Sequence, residues 1–183
     1  MPVNSSTLNK VVAKFKNDLK YRQTYRNPQK NAGLLSRKVE TISEERPVTQ
    51  PSFVVAVDFD GTCVTHEFPK VGKDCPHAVD VLKEMVAAGA GIVLFTMRHG
   101  QYLDQAVSWF AERDIPLYGV QTNPTQARWT GSNKCYANVY IDDAALGCPL
   151  TQDESISKRP FVDWLEVDKL LRKHDWFMES IVS

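Results

Sequence analysis

From Phe53 onward, short apolar runs alternate with amphipathic helical patterns, and that alternation leaves few folds open. The run FVVAVD is β-branched and apolar on both faces, as a central parallel strand must be. A polar stretch with Pro69, Gly72 and Pro76 follows, too irregular for a helix. PHAVDVLKEMVAAG then reads as a helix, with Pro76 in its first turn and Gly89 as C-cap. GIVLFT is a second buried strand ending at Thr96, and GQYLDQAVSWFAERD a helix that turns Leu103, Ala106, Val107 and Phe110 inward. PLYGV gives a short third strand and ANVYIDD a fourth. Beyond a loop through Gly147 and Pro149, VDWLEVDKLLRKH makes a final helix. Strands alternating with helices predict an α/β fold: a doubly wound, Rossmann-like parallel sheet flanked by helices, with right-handed crossovers.

The first fifty residues are of another kind. Leu8, Val11, Val12, Phe15 and Leu19 fall at helical spacing opposite a Lys-rich face, and Pro28, Pro47 and Pro51 punctuate an aperiodic stretch after them. Residues 1–50 carry ten Lys or Arg against four acids, net +6, whereas 51–183 carry twelve against eighteen, net −6. Formal neutrality is thus the sum of two unlike segments. The expected organisation is a basic amphipathic helix with a linker or arm over 1–50, and a catalytic domain over 51–183. The arm suits docking on its own domain or a partner subunit, as in a homo-oligomer, better than nucleic-acid binding. No apolar run reaches the roughly 18 residues of a membrane span, and no signal peptide opens the chain, so the expected address is cytoplasmic, without a membrane partner. Cys63, Cys75, Cys135 and Cys148 show no metal-binding spacing and read as reduced, structural thiols.

In a doubly wound sheet, ligands bind at the carboxyl ends of the strands. The polar residues that interrupt the apolar runs fall on that edge: Asp58 and Asp60 after the first strand, Thr96 at the second, Asp142 and Asp143 at the fourth. Lys134 lies on the loop leading into the fourth strand. Three or four carboxylates in one crevice repel one another unless a cation joins them, and magnesium suits a few carboxylates, waters and a phosphate. A lysine and a threonine hydroxyl suit the remaining phosphoryl oxygens. The set reads as a phosphoryl-transfer crevice.

DFDGT after an apolar strand resembles the first motif of the haloacid dehalogenase-like phosphohydrolases; LFTMR resembles their second, Lys134 their third and VYIDD their fourth. The four follow the family's order over residues 53–143. The resemblance implies an aspartyl-phosphate on Asp58, with Asp60 as general acid and then base and its carbonyl on magnesium. It implies Thr96 on the phosphoryl oxygens, Lys134 neutralising charge, and Asp142 or Asp143 on the metal, Asp142 being the better direct ligand. An aspartate at position 60, by that resemblance, favours a phosphatase or phosphotransferase over the family's pumps and dehalogenases.

Neither gap between these motifs holds a cap domain, so the site is expected to be open unless residues 1–50, the loop 147–160 or another subunit covers it. Gly61, Thr62, His66 and Arg98 are candidate substrate contacts, Arg98 foremost, and Trp129 is a candidate stacking surface. The expected activity is magnesium-dependent hydrolysis of a phosphate monoester. The substrate is a phosphorylated small molecule or, second, a phosphorylated nucleic-acid end (a 3′-phosphatase or nucleotidase). A receiver-like signalling domain orders its acidic residues differently. A binding module of the same fold, acting through the basic arm, is the rival of another class.

Overall fold

The computed structural model describes residue 51 and residues 53–173. The expected N-terminal helix and arm lie outside the described residues. Four parallel strands, β1 (Phe53–Val57), β2 (Ala90–Leu94), β3 (Leu117–Val120) and β4 (Val139–Ile141), form one sheet in the order β3-β2-β1-β4. The α-helices among the described residues are α1 (Ala78–Ala87), α2 (Gly100–Glu112) and α3 (Trp164–Leu171).

Every residue of β1 is buried, which is why its sequence does not alternate: neighbours cover both faces. Its register pairs Val57 with Leu94 on one side and with Ile141 on the other. Burial in α1 falls on Ala78, Val81, Leu82 and Met85, one stripe of a 3.6-residue helix, and Gly89 takes the positive φ that ends it. Helix α2 buries the four residues expected of it and Trp109 as well. Asp163 caps α3 by accepting hydrogen bonds from the Leu165 and Glu166 amides, an arrangement worth about 1 kcal/mol.

The crossovers β1–α1–β2 and β2–α2–β3 step the same way across the sheet, so the right-handed rule puts both helices on one face. Phe59 meets Trp109 and Phe110 of α2 there. The chain then returns past β1 to β4 through residues 121–138, whose single helical turn is a 3₁₀ segment, Gln126–Arg128. On this second face Val54 and Val93 pack with Cys135, Tyr118 and Ala137. The reversal of strand order places the topological switch point between β1 and β4. The stretch after β4, expected as a loop, contains an antiparallel pair, β5 (Leu150–Thr151) and β6 (Phe161–Val162). Two-residue strands nine residues apart leave no periodic signal to read. Among the described residues, no helix is long and apolar enough to cross a membrane.

Candidate functional site

The switch point is where the carboxylates gather. The Asp58 amide donates to the Ile141 carbonyl at 2.9 Å, extending the β1–β4 ladder one step and setting Asp58 beside the residue that follows β4, Asp142. One carboxylate oxygen from each of Asp58, Asp142 and Asp143 lies within 4.8 Å of the others. Burial is the main reason the Asp58 carboxyl is pushed up to about 7, with the charges of Asp142 and Asp143 adding to it. The Phe59 amide and the Thr96 hydroxyl, both bonded to the Asp58 carboxylate, pull the other way. Asp143 is also raised, by burial and then by Asp142, while His66 and Arg159 oppose the rise.

The donors fit a hard cation. Magnesium with bonds of about 2.1 Å holds adjacent ligand oxygens about 3.0 Å apart and opposite ones about 4.2 Å apart, so three oxygens within 4.8 Å of one another close on its shell by small side-chain movements. Both Asp142 and Asp143 bring an oxygen to the group, so the distinction drawn between them from sequence has no counterpart in this geometry. The Asp60 carboxylate stands elsewhere. Its Oδ2 accepts from Arg98 Nε at 2.6 Å and its Oδ1 from Arg98 Nη2 at 2.7 Å.

That pair relocates Arg98 relative to its expected place as a substrate contact. Its side chain is 1% exposed, and it also donates to the Lys70 carbonyl at 2.6 Å and the Pro69 carbonyl at 3.4 Å. The guanidinium lies over Phe59 and Phe68. It therefore fastens Asp60 to the flap and has no face left for substrate. Thr62 is likewise structural: buried, its hydroxyl accepts from the Asp143 amide at 3.1 Å and its carbonyl from Trp164 Nε1 at 2.8 Å. Lys134 is exposed, with its ammonium 5.6 Å from the Tyr140 ring centroid, and makes no ion pair among the described residues. His66 is exposed on the flap.

Gly61 is required where it stands. Its φ of 84° is left-handed, and a Cβ there would overlap the Asp143 carboxylate. Gly61→Ala should cost at least about 1–2 kcal/mol and push Asp143 out of the group. Urea unfolding, with and without magnesium, checks both effects; wild-type stability and an unchanged magnesium response would count against this close approach.

Sequence reasoning missed Gln121. From a left-handed φ of 59°, its side-chain oxygen accepts from the Thr96 amide at 3.0 Å while its Nε2 donates to the Thr96 carbonyl. This clamp holds the hydroxyl that reaches Asp58. The positive φ of a non-glycine residue leaves no mark in a single sequence. The β6 amide of Val162 donates to the Gly61 carbonyl at 2.9 Å, so the hairpin after β4 braces the turn that follows Asp58.

No family model matches this chain, and no curated protein does. Among solved structures, it is similar to a conserved protein from Bacteroides thetaiotaomicron, with 28% identity and a TM-score of 0.55 over 66% of this chain and 90% of that one. The likeness agrees with the α/β fold.

Proposed function

We propose that this protein is a magnesium-dependent phosphoric monoester hydrolase of the haloacid dehalogenase-like type, working through an aspartyl-phosphate on Asp58. One observation carries the reading: three carboxylates, one of them raised to about 7, converge at the switch point of a parallel sheet. Such crowding costs stability unless a cation is its purpose. Magnesium held by Asp58, Asp142 and Asp143 would let these groups ionise together and would neutralise phosphate charge.

The chain's own residues divide the work. The Thr96 hydroxyl and the Phe59 amide orient the Asp58 carboxylate. Asp58 attacks phosphorus, the bond from phosphorus to the ester oxygen breaks, and that oxygen leaves with a proton that the ester's monoanion brings in and Asp60 relays. Water then attacks the phosphorus of the aspartyl-phosphate and passes a proton to Asp60. Rupture of the bond to Asp58 releases inorganic phosphate. Arg98 takes one acceptor position on each Asp60 oxygen, and each oxygen keeps a second lone pair for this traffic. Lys134 supplies a cation at the rim for the incoming phosphate.

Hydrolysis of p-nitrophenyl phosphate tests the reading. Turnover should vanish in excess chelator, return with magnesium and return poorly with calcium, whose looser shell misplaces the in-line geometry. Undiminished activity after exhaustive chelation, or no turnover of any ester, would overturn it.

A further inference from the structure

The sheet face that carries Asp58 also carries an aromatic ledge. Phe95 follows β2 and donates its amide to the Val57 carbonyl at 2.8 Å, so it is the lateral neighbour of Asp58 on the same face. Tyr140 pairs with Ala56, two residues before Asp58 and again on that face. Ala56 carries only a methyl between them, and the rings of Phe95 and Tyr140 meet over it with centroids 6.4 Å apart. The Lys134 ammonium sits over Tyr140. Two residues on, Tyr136 meets Trp129 edge-to-face at 5.3 Å.

This ledge is both exposed and rigid. Trp129 is 56% exposed, and Phe95 and Tyr136 are each 38% exposed. The loop behind them is tied down by the buried Gln126, which donates to the Ser132 and Lys134 carbonyls and accepts from the Tyr136 amide at 2.7 Å. Asn123, also buried, donates to the Tyr136 carbonyl at 3.2 Å. The Tyr140 hydroxyl donates to the Cys135 carbonyl. Two ring pairs, one flanking Asp58 and one on the tied loop, with Lys134 over Tyr140 and two residues before Tyr136, suit a ligand that is flat at one end and anionic at the other.

Resting on the phosphatase reading, we propose that the phosphate monoester taken by this crevice bears a nucleobase, which stacks on the ledge of Phe95, Trp129 and Tyr136 while the phosphoryl group reaches Asp58. A free nucleotide and the end of an oligonucleotide share this chemistry. The net charge of −6 over residues 51–183 admits the smaller anion more readily.

The test compares kcat/KM, with magnesium, for adenosine 3′- and 5′-monophosphates, base-free ribose 5-phosphate and a 3′-phosphorylated oligonucleotide, in wild type, Trp129→Ala and Trp129→Phe. The nucleotide should exceed the base-free ester by about tenfold or more. Trp129→Ala should collapse that ratio through KM, and Trp129→Phe should keep most of it. Preference for the oligonucleotide, lost in the same variant, supports the ledge and assigns its source to a nucleic-acid end. A wild-type ratio near one, or a ratio unchanged in Trp129→Ala, overturns the proposal while leaving the phosphatase reading standing. If no ester turns over, that reading falls, and binding decides the ledge: adenosine monophosphate should quench tryptophan fluorescence in wild type but not in Trp129→Phe. Absence of quenching overturns it.

Discussion

Turnover by Asp58→Asn is expected to fall at least about a thousandfold, because a nucleophile has no substitute in a covalent route. The same change should stabilise the protein without metal. The Asp58 carboxyl lies at about 7 in the fold against 3.8 ordinarily, so between those values the native state holds a proton that the unfolded chain has released. Stability therefore falls as pH rises from about 4 to about 7, and the full loss, a few kcal/mol at about 1.4 kcal/mol per pH unit, is present above 7. In chelator at pH 8, Asp58→Asn should unfold at higher urea than wild type, with the gap shrinking at pH 5 and on adding magnesium. A fully active Asn variant ends the covalent mechanism. A stability gap that ignores pH and magnesium ends the electrostatic account of the site.

Arg98→Met is expected to cost about 3–5 kcal/mol, the range for breaking a buried ion pair from one side. The side chain removed is 1% exposed, and its partner Asp60 only 11% exposed. Its loss strands that carboxylate together with the Pro69 and Lys70 carbonyls. Arg98→Lys should rescue little, since one ammonium cannot reproduce the fork that spans both Asp60 oxygens. Adding Asp60→Asn to Arg98→Met should recover part of the loss, and a double-mutant cycle in urea gives the coupling. A cost below 1 kcal/mol for Arg98→Met would mean that the flap and Asp60 are held by something else. Spacing alone makes Arg98 a candidate substrate contact. Residue 98 follows the end of β2 by four positions, and nothing local tells a side chain that reaches outward from one that turns back under the flap.

The described part of the chain divides along a physical line. Strands β1 to β4 and helices α1 to α3 were legible because burial imposes periods of its own: unbroken apolar runs, fullest in β1 and β2 where both faces are covered, and a 3.6-residue stripe for a helix covered on one. With strand ends located, the convergence of Asp58, Asp142 and Asp143 followed, since a parallel sheet carries all its carboxyl ends to one edge. Positions decided by contacts between distant segments left no such mark. The pairing of Asp60 with a residue 38 positions away, the Gln121 clamp on Thr96 across 25 positions, the resting place of Lys134 on Tyr140 and the bracing hairpin β5–β6 depend on where whole elements come to lie. Sequence determined which chemistry reaches the edge, because hydrophobic patterning is local. Tertiary structure alone decided which of those side chains face the crevice and which are spent holding it, because a hydrogen bond between segments has no period along the chain.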